Sequence, residues 1–400
     1  MPPLEGRRIW LVGIGGAGLS AYALLARAWG AEVGGWDRNQ TPYLTAVREA
    51  GIEVRVSTEP ELPEGWEVFV SSAYRGVSGR PRADLLAELV ATAPSVVVAG
   101  AHGKTTTAAM IAYVLRETGR DPSWVVGGEV PQLGSNAGAG AGWLVVEGDE
   151  SDRSVAVLRP RIAVVLNVDL DHHSEFGSRA EVEELFDRWL ADVPEVVRGW
   201  ELEPLDADLA VAGEHNRRNA AAAVAALELT GMPRAEAVAA LGSFRGVGRR
   251  FELVGEAGGV EVFDDYAHNP EKLSAALATA RERADVRARN GARVLALFQP
   301  HLYSRTRHLA TELGRELAAA DLAAVTEIYP AREHPLPGVT GKLVIDALSD
   351  ARPGSAPGWT PRLEDGARFL ARRARPGDVV LTVGAGDVDR AARMILEELA

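Results

Sequence analysis

The chain contains no cysteine in its 400 residues. That excludes disulfides, thiolate metal centres, iron–sulfur clusters and a cysteine nucleophile. It also lacks an apolar run near the roughly 18 residues that suggest a membrane-spanning helix. Its apolar runs, such as residues 220–227, are short and alanine-rich. Basic residues are in deficit: 43 Lys and Arg against 56 Asp and Glu give a net charge of −13. A general nucleic-acid binder carries a basic footprint, so no nucleic-acid partner is expected. A small anionic ligand stays open, because a local pocket can oppose the net charge. Short-period repeats and low-complexity tracts are missing too. Residues 1–8 lead into a strand-like run without the layout of a signal peptide, which predicts a cytoplasmic protein with no membrane attachment. The remaining composition, 46% hydrophobic and 25% charged, is ordinary for a globular protein. At about 150 residues per domain, the length predicts two to three domains.

Along the chain the pattern is strand, loop, helix, repeated. Arg8 to Val12 reads as a strand, followed by Gly13-Ile14-Gly15-Gly16-Ala17-Gly18, a helix over 19–29 and a strand ending at Asp37. Strand, glycine turn, helix, strand and acid form the layout of a dinucleotide-fold half. A second run, Val96 to Ala99, enters Gly100-Ala101-His102-Gly103-Lys104-Thr105-Thr106-Thr107 and then a helix. Strands ending at Glu147 and Asn167 follow, and 194–208 reads as an irregular connection. Beyond Phe244 the alternation begins again, with strands near 260–264, 294–298, 322–328 and 378–383. Three α/β units are predicted, with boundaries near Pro94 and Phe244.

The segment 100–107 carries the strongest chemistry. Phosphate needs several backbone N–H donors converging on it, and a glycine-rich turn at a helix N-terminus supplies them. Lys104 adds a positive charge for the outer phosphates, and the Thr105 hydroxyl suits Mg²⁺. The general phosphate-loop pattern wants a glycine where Val98 stands, while its Gly-Lys-Thr end holds. The first loop, Gly13-x-Gly15-x-x-Gly18, is less specific. Alone it leaves open NAD, FAD, a nucleotide sugar, or close helix–sheet packing with no ligand.

The segment Ala101-His102-Gly103-Lys104-Thr105-Thr106-Thr107 resembles the ATP loop of the Mur ligases. Further segments fit one branch of that family in order. They are Gly13 to Ser20, Glu147-Gly148-Asp149-Glu150-Ser151-Asp152, Asn167-Val168-Asp169-Leu170-Asp171-His172, and Gly213 to Asn219. Arg249-Arg250-Phe251-Glu252, Asp264-Asp265-Tyr266-Ala267-His268-Asn269-Pro270 and Phe298 to Thr306 complete the set. The resemblance spans nearly the whole chain. It implies a three-domain architecture: a Rossmann-like N-terminal domain at 1–94 for a UDP-sugar, a central P-loop ATPase domain at 95–243, and a Rossmann-like C-terminal domain at 244–400 for an amino acid. It also implies ATP-dependent ligation of L-alanine to UDP-N-acetylmuramate in peptidoglycan precursor synthesis. The family activates a carboxylate as an acyl phosphate, which an amine then displaces.

The resemblance carries residue roles as well. Gly13, Gly15, Gly16, Ala17, Gly18, Asp37, Ser71 and Ser72 match the UDP-sugar site. Gly100, Ala101, His102, Gly103, Lys104, Thr105 and Thr106 match the phosphate loop, with Asn216 and Asn219 near the adenine and Arg250 and Asp265 completing the ATP set. Asp264 is the rival to Asp265. Thr105, Glu147 and His172 match magnesium ligands. His268, His301 and Arg305 match the cluster around the acceptor amino acid. Lys104, Glu147, His172, Arg250 and His268 are the residues implied in catalysis. Independently of resemblance, two anions must meet in such a reaction, and Mg²⁺ with a lysine screens them. Oxygen ligands with an occasional histidine suit such a cation. An exposed acidic loop is the plain alternative for 147–152, a helix cap for Asn216, an interdomain salt bridge for Arg250 and a surface charge for Arg305.

The sequence departs from the family pattern in four places. Asn269 replaces the second histidine of His-His-Pro, Leu302 stands where many members carry arginine, 189–213 reads as shortened, and 74–80 reads unusually. Three other functions compete. A related ligase would attach a ready-made peptide to the same UDP-sugar. An oxidoreductase would use the first glycine loop, leaving Lys104, Glu147 and His172 idle. A non-catalytic relative would bind the nucleotide sugar alone. A monomer or homodimer is expected.

Overall fold

The computed structural model describes residues 2–74, 76–150, 152–169, 176–287, 291–331 and 333–400. Three sheets follow one another along the chain. The first holds β1 (Arg8–Val12), β2 (Glu32–Asp37), β3 (Glu53–Val56), β4 (Glu67–Val70) and β5 (Arg80–Pro81). Its order is β3-β2-β1-β4-β5, with every pairing parallel. The second holds β6 (Ser95–Ala99), β7 (Ser123–Val125), β8 (Ala137–Gly138), β9 (Leu144–Glu147), β10 (Ile162–Val165) and β11 (Glu195–Arg198). Its order is β11-β10-β6-β9-β7-β8. The third holds β12 (Glu252–Ala257), β13 (Val260–Asp265), β14 (Val294–Phe298), β15 (Leu322–Val325), β16 (Gly358–Trp359) and β17 (Val379–Val383), in the order β12-β13-β17-β14-β15-β16.

Parallel strands need cover on both faces, so they read as continuous apolar runs. Ser95-Val96-Val97-Val98-Ala99 is buried at every position. The helices that cover these strands present short side chains where packing is closest, as in Glu214–Leu229, whose alanines 220–223 are all buried. The segment expected to be an irregular connection, 194–208, contains a strand. Its Val196 and Val197 pair with Ala163 and Val164 of β10, so tertiary pairing overrides a weak local signal.

By packing, the chain divides into two compact units. One comprises Met1–Val211 and His215–Val247, the other Ala212–Glu214 and Gly248–Ala400. The first and second sheets lie in the same unit because one apolar cluster serves both, from Ile9 and Leu25 to Val97, Val146 and Trp189. Among the described residues, no helix is long and apolar enough to cross a membrane.

Candidate active site

The first unit carries two glycine-bearing loops, each at the carboxyl end of a parallel strand. That is where open α/β sheets place their ligands. The first loop leaves β1 at Gly13 and enters the helix Ala17–Ala28. Gly13 N–H donates to the Trp36 carbonyl at 2.7 Å. Gly15 N–H donates to Asp37 Oδ2 at 2.8 Å, and Tyr74 Oη–H donates to Asp37 Oδ1 at 2.9 Å. The Asp37 carboxylate thus brackets the loop from the end of β2. Gly16, Ala17 and Gly18 form the start of the helix. Ser71 N–H donates to the Val12 carbonyl, and Ser72 opens a short 3-10 turn beside it. All eight residues expected at the UDP-sugar site therefore sit at one end of this sheet.

The second loop leaves β6 at Gly100 and enters the helix Lys104–Glu117. Gly103 takes φ +83°, a left-handed conformation that glycine adopts without a Cβ penalty. A Cβ there would also stand 2.3 Å from Asn219 Oδ1. Asn219 thereby abuts the loop, and Asn216 lies beside it, with the two amides 3.5 Å apart and both buried. Asn167 holds the loop from β10: His102 N–H donates to its Oδ1 at 2.9 Å, and its Nδ2 donates to the His102 carbonyl at 3.1 Å. Ala101 is buried, as are Thr106 and Thr107, which face the core.

Lys104 Nζ donates to Glu150 at 2.8 and 3.0 Å and to the Gly100 carbonyl at 2.7 Å. Burial works against its charge, yet the carboxylates of Glu150, Asp149 and Glu147 outweigh that and hold the ammonium above its ordinary pKa. The 147–152 segment is therefore more than an exposed acidic loop. Thr105 Oγ1 donates to Glu147 Oε2 at 3.0 Å, and Gly127 N–H donates to Glu147 Oε1. Two hard oxygen donors thus converge next to the phosphate loop, a donor set that fits Mg²⁺. His172, the third expected ligand, lies outside the described residues. Ligand atoms of Asp169 and His102 lie within 4.8 Å of each other.

The second unit carries the remaining candidates at the carboxyl ends of β13 and β14. Asp264 and Asp265 are separated in role by their partners. Asp264, 2% exposed, accepts from Arg249 Nε at 2.9 Å and from Thr382 Oγ1 at 2.6 Å. Burial raises its pKa to about 6, against the pull of Arg249 and Thr382. Asp265 accepts from the backbone N–H of Phe251 at 2.8 Å and of Ala267 at 2.7 Å, which fixes the turn beyond β13. Burial raises its carboxyl too, and Arg250 opposes this. The Arg250 guanidinium lies 5.3 Å from the Tyr266 ring centre.

His268 Nδ1 stands 2.9 Å from the Tyr266 carbonyl. A carbonyl only accepts, so Nδ1 carries the proton and Nε2 keeps its lone pair. Arg305 Nη1 stands 3.2 Å from His301 Nδ1, which makes that nitrogen an acceptor and leaves the His301 proton on Nε2. The two rings are 6.1 Å apart, and Tyr329 stacks on His301 at 5.9 Å. Burial, then the Lys272 and Arg305 charges, push His268 well below the usual histidine range. Asn269, where the family pattern has histidine, accepts from Lys272 N–H at 2.9 Å and caps the helix Pro270–Arg287. Sequence reasoning missed Asn167 and Tyr329. Asn167 stood in a quoted motif at a strand end, which was the one available signal.

Three segments match family descriptions: "Mur ligase family, catalytic domain" over 8–93, "Mur ligase middle domain" over 98–197, and "Mur ligase, glutamate ligase domain" over 249–386. The chain belongs to the Mur ligase family and has its three-domain α/β architecture. Among curated relatives it is 38% identical to the UDP-N-acetylmuramate–L-alanine ligase of Rubrobacter xylanophilus, over 98% of this chain and 100% of the relative. It is 39% identical to the enzyme of the same name from Renibacterium salmoninarum, over 98% and 96%. Among solved structures, the UDP-N-acetylmuramate–alanine ligase of Thermotoga maritima superposes with a TM-score of 0.80 at 26% identity, covering 98% of each chain. A murein peptide ligase from Psychrobacter arcticus shares the fold, with a TM-score of 0.64 at 23% identity.

Proposed function

We propose that this chain is an ATP-dependent ligase that joins L-alanine to the carboxylate of UDP-N-acetylmuramate, a step of peptidoglycan precursor synthesis in the cytoplasm. The observation that carries this reading is that one unit holds two separate glycine-bearing loops, each between a parallel strand and a helix N-terminus. A ligase acting on a nucleotide sugar at the expense of ATP needs both, and an oxidoreductase leaves the second without a task. On this reading residues 1–94 take the UDP-sugar, 95–243 take ATP, and 244–400 take the amino acid.

The carboxylate oxygen attacks the γ-phosphorus, the bond to ADP breaks, and an acyl phosphate forms. The N–H groups of Gly103, Lys104 and Thr105 at the helix start, with the Lys104 ammonium, neutralise the charge that develops there. Thr105, Glu147 and His172 would hold Mg²⁺, which would supply further charge neutralisation. Asn216 and Asn219 serve the adenine, while Arg250 and Asp265 serve the nucleotide. Arg305 pairs with the carboxylate of alanine, and His301 offers its Nε2–H nearby. The amine nitrogen attacks the acyl carbon, phosphate leaves, and His268 Nε2 receives the amine proton.

Calorimetry with UDP-N-acetylmuramate, NAD and FAD tests the reading. UDP-N-acetylmuramate is expected to bind and the two redox cofactors are not. Binding of NAD or FAD without the sugar nucleotide would transfer the chain to the oxidoreductases.

A further inference from the structure

The second loop meets the acidic turn at 147–152 directly through Lys104 and Glu150, the first loop meets it through Arg82, and each acid of that turn among the described residues has a partner. Glu147 holds Thr105 and Gly127, and Glu150 holds Lys104. Asp149 and Asp152 are held by Arg82, a residue the sequence did not single out. Arg82 opens the helix Arg82–Thr92 directly after β5, at the end of the first sheet where the glycine loop lies. Its Nη2 donates to Asp152 Oδ2 at 2.7 Å and to Asp149 Oδ2 at 3.1 Å, and its Nε reaches Asp152 at 3.2 Å. Its Nη1 faces the glycine loop, only 3.2 Å from where a Cβ on Gly18 would stand. The side chain is 19% exposed, so water screens these contacts weakly.

One guanidinium therefore bonds the acidic turn beside the second loop and lies close to Gly18 of the first. A second tie runs parallel to it: Asn136 Nδ2 donates to the Ala17 carbonyl at 3.0 Å, which links the glycine-loop helix to the second sheet. The acidic turn is braced on its own side, since Ser154 N–H donates to Asp152 Oδ1 at 3.0 Å and Ser154 Oγ–H to the Asp149 carbonyl at 3.1 Å.

We propose that Arg82 is a positioning residue that couples the two sites, so that Mg²⁺–ATP and the sugar nucleotide each tighten the binding of the other. This rests on the assignment of the glycine loop to the UDP-sugar. The physical basis is competition for one cation. With the turn unneutralised, Asp149 and Asp152 draw on the Arg82 charge. A divalent cation at Glu147 and Thr105 lowers the negative potential of the turn, and the guanidinium then favours a diphosphate at Gly18. By linkage the effect is reciprocal.

The test is a pair of calorimetric titrations of UDP-N-acetylmuramate into the full chain, without and with saturating Mg²⁺ and a non-hydrolysable ATP analogue. The wild-type affinity ratio is expected at about 5-fold or more, the lower end of ordinary coupling. In Arg82→Gln the ratio is expected within about twofold of one, and Asp152→Asn, which keeps the arginine, should lower it in the same direction. A merely structural loss weakens both ligands and leaves their ratio unchanged. A wild-type ratio near one overturns the proposal, as does an undiminished ratio in Arg82→Gln. If that variant does not fold, an undiminished ratio in Asp152→Asn overturns it. Failure of the wild type to bind UDP-N-acetylmuramate at all would instead overturn the assignment of the loop.

Discussion

Lys104→Ala is expected to lower ATP turnover by about 10²–10³-fold or more, the usual loss when one preorganised donor to a developing anion is removed. The substitution is not structurally silent. Glu150 is 2% exposed and its carboxylate is paired with Lys104 at 2.8 Å. Breaking a buried ion pair by removing one partner costs about 3–5 kcal/mol. The melting temperature should therefore fall together with activity. The double variant Lys104→Met with Glu150→Gln separates the effects. It removes both charges, so it should recover most of the lost stability while turnover stays low. Phosphate release with circular-dichroism melting decides, and a folded Lys104→Ala with near-normal turnover would remove Lys104 from the chemistry.

His268→Ala is expected to lower kcat by about 10²–10⁴-fold, the range for a positioned general base, while ATP binding persists. Burial and the Lys272 and Arg305 charges hold the imidazole neutral well below pH 6.5. The acidic limb of wild-type kcat that belongs to this base should therefore lie below pH 6.5 and vanish in the variant. The stability consequence has a definite sign. The unfolded chain protonates this histidine near pH 6.5 and the folded chain resists, so acid favours unfolding. Between pH 7 and pH 5, His268→Ala should lose less stability than the wild type. An equal loss would show that His268 titrates normally in the fold.

These residues were unequally legible in the sequence. The phosphate loop was readable because its parts are contiguous: a buried valine run, a glycine turn, then Lys104 and Thr105 at a helix start. The Asn269 departure was visible but unexplained until its cap on the helix beginning at Pro270 was seen. Arg82 was not readable, since its partners Asp149 and Asp152 lie 67 and 70 positions away and only the fold joins them. Tyr329 was missed for the same reason, as it meets His301 in an isolated bridge beyond the ends of β14 and β15. The packing of the first two sheets on one apolar cluster was equally hidden, because apolar runs announce burial and not the partner they are buried against.

The proposed reaction joins three substrates, so phosphate release reports on all of them at once. Phosphate release from ATP is followed with UDP-N-acetylmuramate present and L-alanine, glycine, L-serine or an alanine-starting tripeptide supplied at equal concentration. Release is expected only when ATP, the sugar nucleotide and an acceptor are all present. L-alanine should be fastest, with glycine and L-serine slower, because one methylene in such a pocket discriminates by about 1–3 kcal/mol. Preferential consumption of the tripeptide, or no release with any acceptor, would contradict the account.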